Sequence, residues 1–338
     1  MKINKKILLI SILLIGTLIL AGCGGNGSKQ TSGEVKEITI GYFPNLTHAP
    51  GIIGKTKGFF AEEFGNNVKV NVKTFPKGSL LMDALATDQI DIGYAGPGPV
   101  LNRFLQGAKV KLLASASIGG NVIVGAGDSN IKNPKDLANK RIATPGLACS
   151  HDLVLRKLLW NNNLKMERRG GTIEQIMQKP ATMMGLFKQD QIDAAAVSEP
   201  WAAVMEKKIG AKVLVDWNEM PWEGRMPATV VVTTSNFTKK HPELVKQFLK
   251  ANEKSIEFIT NNKDKSLKLI QKEIKRITRQ KIALDILDRA LTRTKFTSQV
   301  DPKIIQELAD ISGELGVIQG DTDLTGLVDT TFLKQIKN

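Results

Sequence analysis

The sequence predicts an α/β fold with two lobes of similar build, and three observations lead to this prediction. The segments DQIDIGYAGP (88–97) and DQIDAAAVSEP (190–200) begin with the same four residues. A matching GAKV follows each copy, at Gly107 and at Gly210. Around both copies, β-like apolar runs alternate with helix-like runs, which indicates a parallel or mixed sheet covered by helices. The repeat is too widely spaced for a solenoid and therefore suits two lobes.

The first half of the chain alternates between strand and helix patterns from Glu37 onward. Period-two apolar patterns predict strands, and longer runs with apolar residues on one face predict helices. The expected strands are 37–43, 68–75, 90–95 and 110–116, and the expected helices are 47–65, 80–88 and 98–107. The first DQID therefore links a helix to a buried strand.

The second half repeats this scheme and then becomes helical. The expected strands are 141–145, 192–197, 211–216 and 228–237, and the expected helices are 150–163, 181–190 and 199–210. Ser150 is the expected N-cap of the first of these helices. The last strand is long enough to carry the chain back to the first lobe. We therefore expect lobe 1 to comprise 35–117 plus 233–338, with a helical tail after His241, and lobe 2 to comprise 118–232.

The N-terminus has the pattern of a secretory signal peptide. Lysines precede an apolar run at 7–20 that is too short to span a bilayer comfortably. The run closes with LAGC, which resembles a bacterial lipobox and implies that residues 1–22 are removed and that Cys23 is acylated. Residues 23–34 are rich in glycine and polar residues, as in a flexible tether. The predicted location is the extracytoplasmic face of the cell membrane, held by a lipid anchor.

Composition and charge argue against several classes of function. The formal net charge is +14, but the lysines of 263–281 alternate with apolar residues at helical spacing. This pattern indicates a solvated helix face rather than a nucleic-acid site. The sequence contains no zinc-finger spacing and no RNA-binding string. Cys149 is the only cysteine besides Cys23, so no disulfide is expected within the mature chain.

The ends of the two copies point to a ligand site. In open α/β sheets, ligands bind beyond the carboxyl ends of the strands. The first copy ends in AGPGP and the second in VSEPW, and each places a proline at the start of a helix. Helix N-termini offer free N–H groups and a partial positive charge. Two such helix starts facing one cleft would therefore suit an anion.

Four motifs in this order, GYFPNLTHAP, YAGPGP, ATPGLACSHD and SEPW, resemble the substrate-binding proteins of ABC importers for aliphatic sulfonates, taurine and nitrate. Thiamine-precursor binders are relatives of that group. The resemblance implies a type II periplasmic-binding fold with two α/β lobes, a two-strand hinge and closure on the ligand. The expected partners are a small-molecule ligand and an ABC permease, with no nucleic acid, and the expected state is a monomer.

The resemblance also implies a set of ligand-binding residues on both lobes. They are Asn45, Thr47, His48, Gly78, Ser79, Gly96, Pro97, Thr144, Ser150, Glu199 and Trp201. The chain departs from the family pattern at 148–152, at Ala196 and at Ser198. These departures lie on the second-lobe side, so they leave the ligand open more than the fold.

Three of these side chains have alternative roles. Thr47 can cap a helix as well as contact a ligand. Trp201 can stack on a ligand or fill an interface between lobes. Glu199 can accept a hydrogen bond from an amino group such as that of taurine, but it repels an anion unless a cation offsets its charge. The candidate cations are Arg103, Arg156 and Arg225.

Three functions compete at this point. The first is a receptor for a sulfonate-like solute (an aliphatic sulfonate, taurine or nitrate), the second is a receptor for a thiamine-precursor-like heterocycle, and the third is a hydrolase using Cys149. Cys149 and His151 are two positions apart at a helix start, where side chains diverge, so they form a poor catalytic pair. No metal site is expected, because His48, His151 and Cys149 lack zinc-site spacing. No cofactor motif occurs, and we expect no enzymatic activity.

Overall fold

The computed structural model describes residues 36–314, 316 and 320–337. The predicted signal peptide, the tether and Cys23 lie outside the described residues. The strands are β1 (Glu37–Tyr42), β2 (Lys69–Thr74), β3 (Ile92–Ala95), β4 (Val110–Gly119), β5 (Asn121–Gly125), β6 (Arg141–Thr144), β7 (Glu174–Met177), β8 (Ala194–Ser198), β9 (Lys212–Val215), β10 (Pro227–Thr234) and β11 (Thr294–Lys295).

The helices alternate with these strands and then dominate the C-terminal part. They are α1 (Ala49–Thr56), α2 (Phe59–Phe64), α3 (Gly78–Ala86), α4 (Pro97–Leu105), α5 (Ser150–Asn161), α6 (Pro180–Lys188), α7 (Trp201–Ile209), α8 (Ser235–Lys240), α9 (Pro242–Asn261), α10 (Lys263–Thr278), α11 (Leu284–Leu291), α12 (Pro302–Glu314) and α13 (Thr331–Lys337). Short 3-10 turns lie at Leu46–His48, Pro134–Leu137, Glu167–Arg169 and Pro221–Gly224. Within the described residues, no helix is long and apolar enough to cross a membrane.

The strands form two mixed sheets. The first has six strands in the order β11-β4-β10-β3-β1-β2, and the second has five in the order β7-β6-β8-β5-β9. β1, β2 and β3 run parallel to one another, as do β6, β7 and β8. The predicted α/β class with two sheets is therefore confirmed.

The repeated DQID segment precedes an equivalent strand in each sheet. β3 lies between parallel β1 and antiparallel β10, and β8 lies between parallel β6 and antiparallel β5. Asp91 Oδ2 accepts a hydrogen bond from Thr39 N at 2.7 Å, and Asp193 Oδ2 accepts one from Arg141 N at 2.7 Å. The last aspartate of each copy therefore holds the neighbouring parallel strand, which gives the repeat a structural reason.

The chain passes between the sheets at a pair of glycines and returns through a loop. β4 of the first sheet continues into β5 of the second through Gly119 and Gly120, whose φ values are 71° and 69°. Such left-handed backbone favours glycine. The return runs through 216–226 into β10, which pairs antiparallel with β4. Residues 227–232 thus lie in the six-stranded sheet, and the division of the chain into two lobes stays a prediction.

The helical C-terminal region predicted from the sequence is present, and it packs against the first sheet. Tyr42 of β1 donates its hydroxyl hydrogen to Glu273 Oε1 of α10 at 2.9 Å. Tyr94 of β3 donates to Asn252 Oδ1 of α9 at 3.0 Å. Both tyrosines are fully buried. Buried hydroxyls need such partners, so these bonds fix where the tail helices lie on the sheet.

Three sequence-based expectations for the elements are wrong in detail. The single helix expected at 47–65 is broken, because Gly58 adopts φ 80° between α1 and α2. The N-cap of α5 is Cys149, and Ser150 is its first helical residue. The strand expected at 228–237 ends at Thr234, whose hydroxyl accepts a hydrogen bond from Phe237 N and so starts α8.

Candidate functional site

A cavity of about 690 Å³ lies among the loops that follow strands of both sheets. Ligand pockets for small molecules are usually concave and of this size. Its lining residues are Phe43, Asn45, Thr47, His48, Pro76, Lys77, Gly78, Ser79, Asp83, Gly96, Pro99, Asn102, Arg103, Gln106, Asn121, Pro145, Gly146, Leu147, Ala148, Cys149, Ser150, His151, Pro180, Ser198, Trp201 and Ala228. We call this cavity the cleft.

Five helices begin at the cleft. α3 and α4 begin on the side of the first sheet, and α5, α6 and α7 begin on the side of the second. None of the five N-cap side chains accepts a hydrogen bond from a first-turn N–H group of its own helix. First-turn N–H groups have no partner within their own helix. α4 begins Pro97-Gly98-Pro99, whose single N–H bonds Ser150, and Ala203 N of α7 bonds the Glu199 carboxylate. The N–H groups that remain at the other helix starts, with the positive ends of the helix dipoles, favour a negatively charged ligand.

Two glycines of AGPGP let the starts of α4 and α5 touch. A Cβ on Gly98 would lie 2.9 Å from both Ala148 O and Ser150 N, and a Cβ on Gly96 would lie 2.7 Å from Ser150 Oγ. Gly98 N donates to Ser150 Oγ at 3.2 Å, and Asn102 Nδ2 donates to Ala148 O at 3.2 Å. These bonds bridge the two sides of the cleft. The Ser150 hydroxyl accepts in this bond and keeps its own hydrogen for a ligand.

The loop before α5 is held by a buried carboxylate. Asp152 Oδ2 accepts from Ala148 N at 2.8 Å, and Oδ1 accepts from Arg156 Nε at 2.9 Å and from Gln175 Nε2 at 2.7 Å. Gln175 Nε2 also donates to the Thr144 hydroxyl at 2.8 Å. Ala148 has φ 56°, a conformation that costs energy for a residue with a Cβ. The network maintains this loop, and Thr144 belongs to it rather than to the cleft lining.

The two histidines of the cleft are neutral. Burial lowers the pKa of His48 to about 3 and that of His151 to about 4, because a low-dielectric environment disfavours the imidazolium. His48 also lies against the Phe43 ring, with centroids 4.4 Å apart. The charged side chains of the lining are Lys77, Arg103 and Asp83. Arg103 pairs with Asp83, so Lys77 at the exposed rim supplies the excess positive charge.

Cys149 and His151 meet in the cleft, contrary to the expectation that they would diverge. Cys149 Sγ lies 3.8 Å from His151 Nδ1. The i, i+2 rule applies within a helix, but Cys149 precedes α5 and has extended dihedrals of −73° and 162°. Burial raises the pKa of the Cys149 thiol to about 11. The thiol is therefore protonated near neutral pH and is a poor nucleophile.

The structure brings most of the predicted site residues to the cleft. The cleft lining includes Asn45, Thr47, His48, Gly78, Ser79, Gly96, Ser150 and Trp201. Pro97, Thr144 and Glu199 do not line it. Pro97 is buried as the first residue of α4. Thr47 is not a helix cap either, because Asn45 precedes the 3-10 turn and His48 precedes α1.

Glu199 is turned away from the cleft. It is fully buried, and its carboxylate accepts from Arg293 Nη1 at 2.9 Å and from Ala203 N at 3.1 Å. Burial raises the pKa of Glu199 against the attraction of Arg293. Arg293 also pairs with Glu206 at 2.7 Å and with Asp216 at 3.3 Å. The offsetting cation is therefore Arg293, and not Arg103, Arg156 or Arg225.

Sequence reasoning missed further polar residues of the cleft. They are Lys77, Asp83, Asn102, Gln106 and Asn121. Arg103 and Ser198 also line the cleft, but the sequence had indicated them only as a candidate cation for Glu199 and as a departure from the family pattern. Asn102, Arg103 and Gln106 share one face of α4, the helix that follows AGPGP, so helical periodicity from Gly96 could have found them. Asn121 follows the glycine pair, and no sequence pattern marks it. Within the described residues, no cluster of three or more His, Cys, Asp or Glu side chains could hold a metal ion.

The family of the chain follows from comparison with known proteins. Residues 31–271 match the model of the NMT1-like family. The chain belongs to the NMT1-like family. A "Putative aliphatic sulfonates-binding protein" of Bacillus subtilis (strain 168) is 28% identical to it over 334 residues, which are 98% of this chain and 96% of that protein. The taurine-binding periplasmic protein of Escherichia coli (strain K12) is 28% identical over 219 residues, 64% of this chain and 65% of that protein.

Solved structures resemble this NMT1-like chain in fold. The alkanesulfonate-binding protein SsuA from Xanthomonas axonopodis pv. citri, bound to MOPS, gives a TM-score of 0.72 at 19% identity, over 87% of this chain and 98% of that one. The periplasmic nitrate-binding protein NrtA from Synechocystis PCC 6803 gives 0.75 at 17% identity, over 90% and 88%. The predicted periplasmic-binding fold and the predicted homology to binding components of importers are confirmed.

Proposed function

We propose that this protein is the extracytoplasmic substrate-binding component of an ABC importer, which captures a small organosulfonate in the cleft and delivers it to the permease. The observation that carries the proposal is the convergence of five helix N-termini on one cavity lined by polar groups and neutral histidines. A sulfonate accepts hydrogen bonds through three oxygens and donates none. It therefore matches a site rich in N–H and O–H donors.

The size of the cleft favours an organic sulfonate over nitrate. A water molecule occupies roughly 30 Å³ of liquid, and nitrate is not much larger. A cavity of about 690 Å³ would therefore keep most of its water around nitrate. Half-buried Trp201 and Phe43 offer apolar surface for an organic tail. The names of the Bacillus subtilis and Escherichia coli relatives, which refer to aliphatic sulfonates and taurine, support the same class.

The other two candidate functions have less support. A receptor for a thiamine-precursor-like heterocycle needs an acceptor for ring N–H or amino groups, but Glu199, the candidate carboxylate, is engaged by Arg293. A hydrolase was expected to use Cys149, but burial keeps its thiol protonated, with a pKa of about 11. We therefore propose that the protein acts by binding alone and is not an enzyme. Incubation with activated esters and mass analysis of Cys149 would overturn this if an acyl-enzyme accumulated.

A thermal-shift panel tests the ligand class. We expect ethanesulfonate, butanesulfonate and taurine to raise Tm, nitrate to do so weakly, and a thiamine-precursor pyrimidine to leave it unchanged. Ligand binding stabilises by RT ln(1 + [L]/Kd), about 2.7 kcal/mol at a hundredfold excess over Kd. A shift produced by the pyrimidine alone would refute the sulfonate assignment.

Two substitutions test the cleft itself. Thr47→Val keeps the shape and removes a hydroxyl, so we expect Kd for butanesulfonate to rise by roughly one to two decades, since a bond to a charged group contributes about 1.5–3 kcal/mol. Trp201→Ala should weaken butanesulfonate more than ethanesulfonate. The controls are Thr47→Ser, which keeps the hydroxyl, and Trp160→Ala, an exposed tryptophan outside the cleft lining. If neither substitution changes Kd beyond twofold in calorimetric titration, the cleft is not the site.

The proposal includes attachment to the membrane through acylated Cys23, in a monomer. The support is the LAGC segment of the sequence. We expect Cys23→Ser to move the protein from the membrane pellet to the supernatant, because a cleavage site without its cysteine receives no acyl chains. Equal retention of wild type and variant in the pellet would contradict the anchor.

A further inference from the structure

Cys149 and His151 form a pair in the cleft that the proposed function leaves without a role. Their side chains are in contact, with 3.8 Å between Cys149 Sγ and His151 Nδ1. Both residues line the cleft at the start of α5. The neighbouring carboxylate, Asp152, is engaged by Ala148 N, Arg156 and Gln175, so it does not compete for the imidazole.

The contact determines which ring nitrogen carries the proton. Burial keeps the thiol protonated and the imidazole neutral, with pKa values of about 11 and about 4. A neutral imidazole has one N–H donor and one bare nitrogen acceptor. The bare nitrogen is a much better acceptor than a thiol sulfur, so the S–H group donates to Nδ1. The ring proton then lies on Nε2.

His151 Nε2 has no partner within the described residues. It is buried, and together with Asn45 Oδ1 it is one of two unpartnered buried polar atoms that belong to cleft-lining residues. A buried donor without an acceptor is unfavourable, so such an atom in a ligand cleft indicates a contact made by the ligand. A sulfonate oxygen is an acceptor without a hydrogen and fits an Nε2–H donor.

We propose that Cys149 is a positioning residue, which holds His151 in the tautomer with its proton on Nε2, and that this Nε2–H donates to an oxygen of the bound sulfonate. The inference rests on the proposed function, because it takes a sulfonate as the ligand. It gives the thiol at the cleft a role in recognition that needs no reactive sulfur. It also predicts that Cys149→Ser preserves the tautomer of His151, because the serine hydroxyl can donate to Nδ1, and that Cys149→Ala does not preserve it.

The tautomer is measured directly by nitrogen-15 NMR of the full chain labelled at histidine. The sequence has three histidines, and His151→Gln identifies the resonances of this one. We expect the Nε2–H form in the wild type and in Cys149→Ser, and a loss of that preference in Cys149→Ala. A wild-type Nδ1–H form, or an Nε2–H form that persists unchanged in Cys149→Ala, would overturn the proposal.

Calorimetric titration with butanesulfonate measures the consequence for binding. We expect Cys149→Ala to raise Kd three- to tenfold and Cys149→Ser to stay within twofold of the wild type. Equal Kd values for wild type and Cys149→Ala would overturn the recognition role. If the wild type binds no sulfonate at all, the proposed function fails together with the donation to a sulfonate. The NMR result then separately decides whether Cys149 sets the tautomer.

Discussion

Glu273 on α10 is a buried carboxylate surrounded by donors. It accepts from Tyr42 at 2.9 Å and from Arg276 at 2.8 and 2.9 Å, and it pairs with Lys55 of α1. Burial alone would raise its pKa, but the hydrogen bonds from Arg276, Lys55 and Tyr42 lower it to about 2. One carboxylate therefore joins the first strand, the first helix and the C-terminal tail.

Glu273→Gln should lower stability in a pH-dependent way. Because the folded pKa is below the unfolded value of about 4.3, ionised Glu273 stabilises the fold above that value, and this contribution is lost as pH falls toward 2. We expect the variant to lose about 1–3 kcal/mol of unfolding free energy at pH 7. This difference should shrink to about half at pH 3, because that pH lies between the folded and unfolded pKa values. Urea denaturation at pH 7, 5 and 3 measures the difference.

A matched control separates this role from a general loss of charge. Glu37→Gln removes a carboxylate whose ion pair with Lys69 is exposed, and exposed pairs contribute little. Its stability should stay within about 1 kcal/mol of the wild type at each pH. A difference between wild type and Glu273→Gln that is the same at pH 7 and pH 3 would contradict the role assigned to the ionised carboxylate.

The sequence could not predict which side chains pair with one another at the site. Thr47, His48 and Trp201 were named through the family resemblance, and all three line the cleft. The partner of Glu199 was missed, since Arg293 lies 94 positions away in the tail. Such a pairing depends on how helices pack on the finished fold, which local patterns do not encode.

The starts of α4 and α5 are in contact across the cleft. It consists of the bonds from Gly98 N to Ser150 and from Asn102 to Ala148. Both donors lie on the first-sheet side and both acceptors on the second-sheet side. Separation of the starts of α4 and α5 would break both bonds, so they stabilise the observed arrangement of the cleft.

Asn102→Ala should weaken this arrangement and speed ligand release. One neutral hydrogen bond contributes about 0.5–1.5 kcal/mol, so we expect Kd for butanesulfonate to rise roughly two- to tenfold, mainly through faster dissociation. Stopped-flow displacement measures the rate. The control is Gln106→Ala, which changes a cleft residue at the C-terminal end of α4 whose side chain bonds Arg103 on the same side of the cleft. Equal dissociation rates in the two variants would refute the bridging role.

Elements were predicted well where their patterns are local. The strands beside each DQID and the helix starts at the prolines followed from alternation and from proline chemistry. The break at Gly58 was missed, because glycine also occurs inside the neighbouring α1, at Gly51 and Gly54. At these two positions, close contacts with neighbouring side chains explain why the residue is glycine. A Cβ on Gly54 would lie 2.5 Å from Phe60 Cζ. The same residue type thus serves packing at one position and a turn at another.

At the scale of the whole molecule, the internal repeat was the most informative signal in the sequence. It predicted two sheets with equivalent strands, and Asp91 and Asp193, the last residues of the two DQID segments, make equivalent bonds to the neighbouring parallel strands. The pattern predicted that the last long strand returns toward the first lobe, but it did not specify that this strand lies between β3 and β4, because pairing between distant strands leaves no local pattern.

Because the chain returns to the first sheet, the second sheet is synthesised completely before the first one is. All five strands of the second sheet lie between Asn121 and Val215. The first sheet is complete, and covered by the tail helices, only after β10 and those helices have been synthesised. Contacts between near segments form faster than contacts between distant ones. In pulse-labelled hydrogen exchange during refolding, we expect the amides of β6 and β8 to be protected before those of β3. Simultaneous protection would contradict this order. A nascent chain would then carry a formed second sheet whose Glu199 has no counter-charge until Arg293 is synthesised, and the ion pair formed by that arginine would join the second sheet to the C-terminal tail.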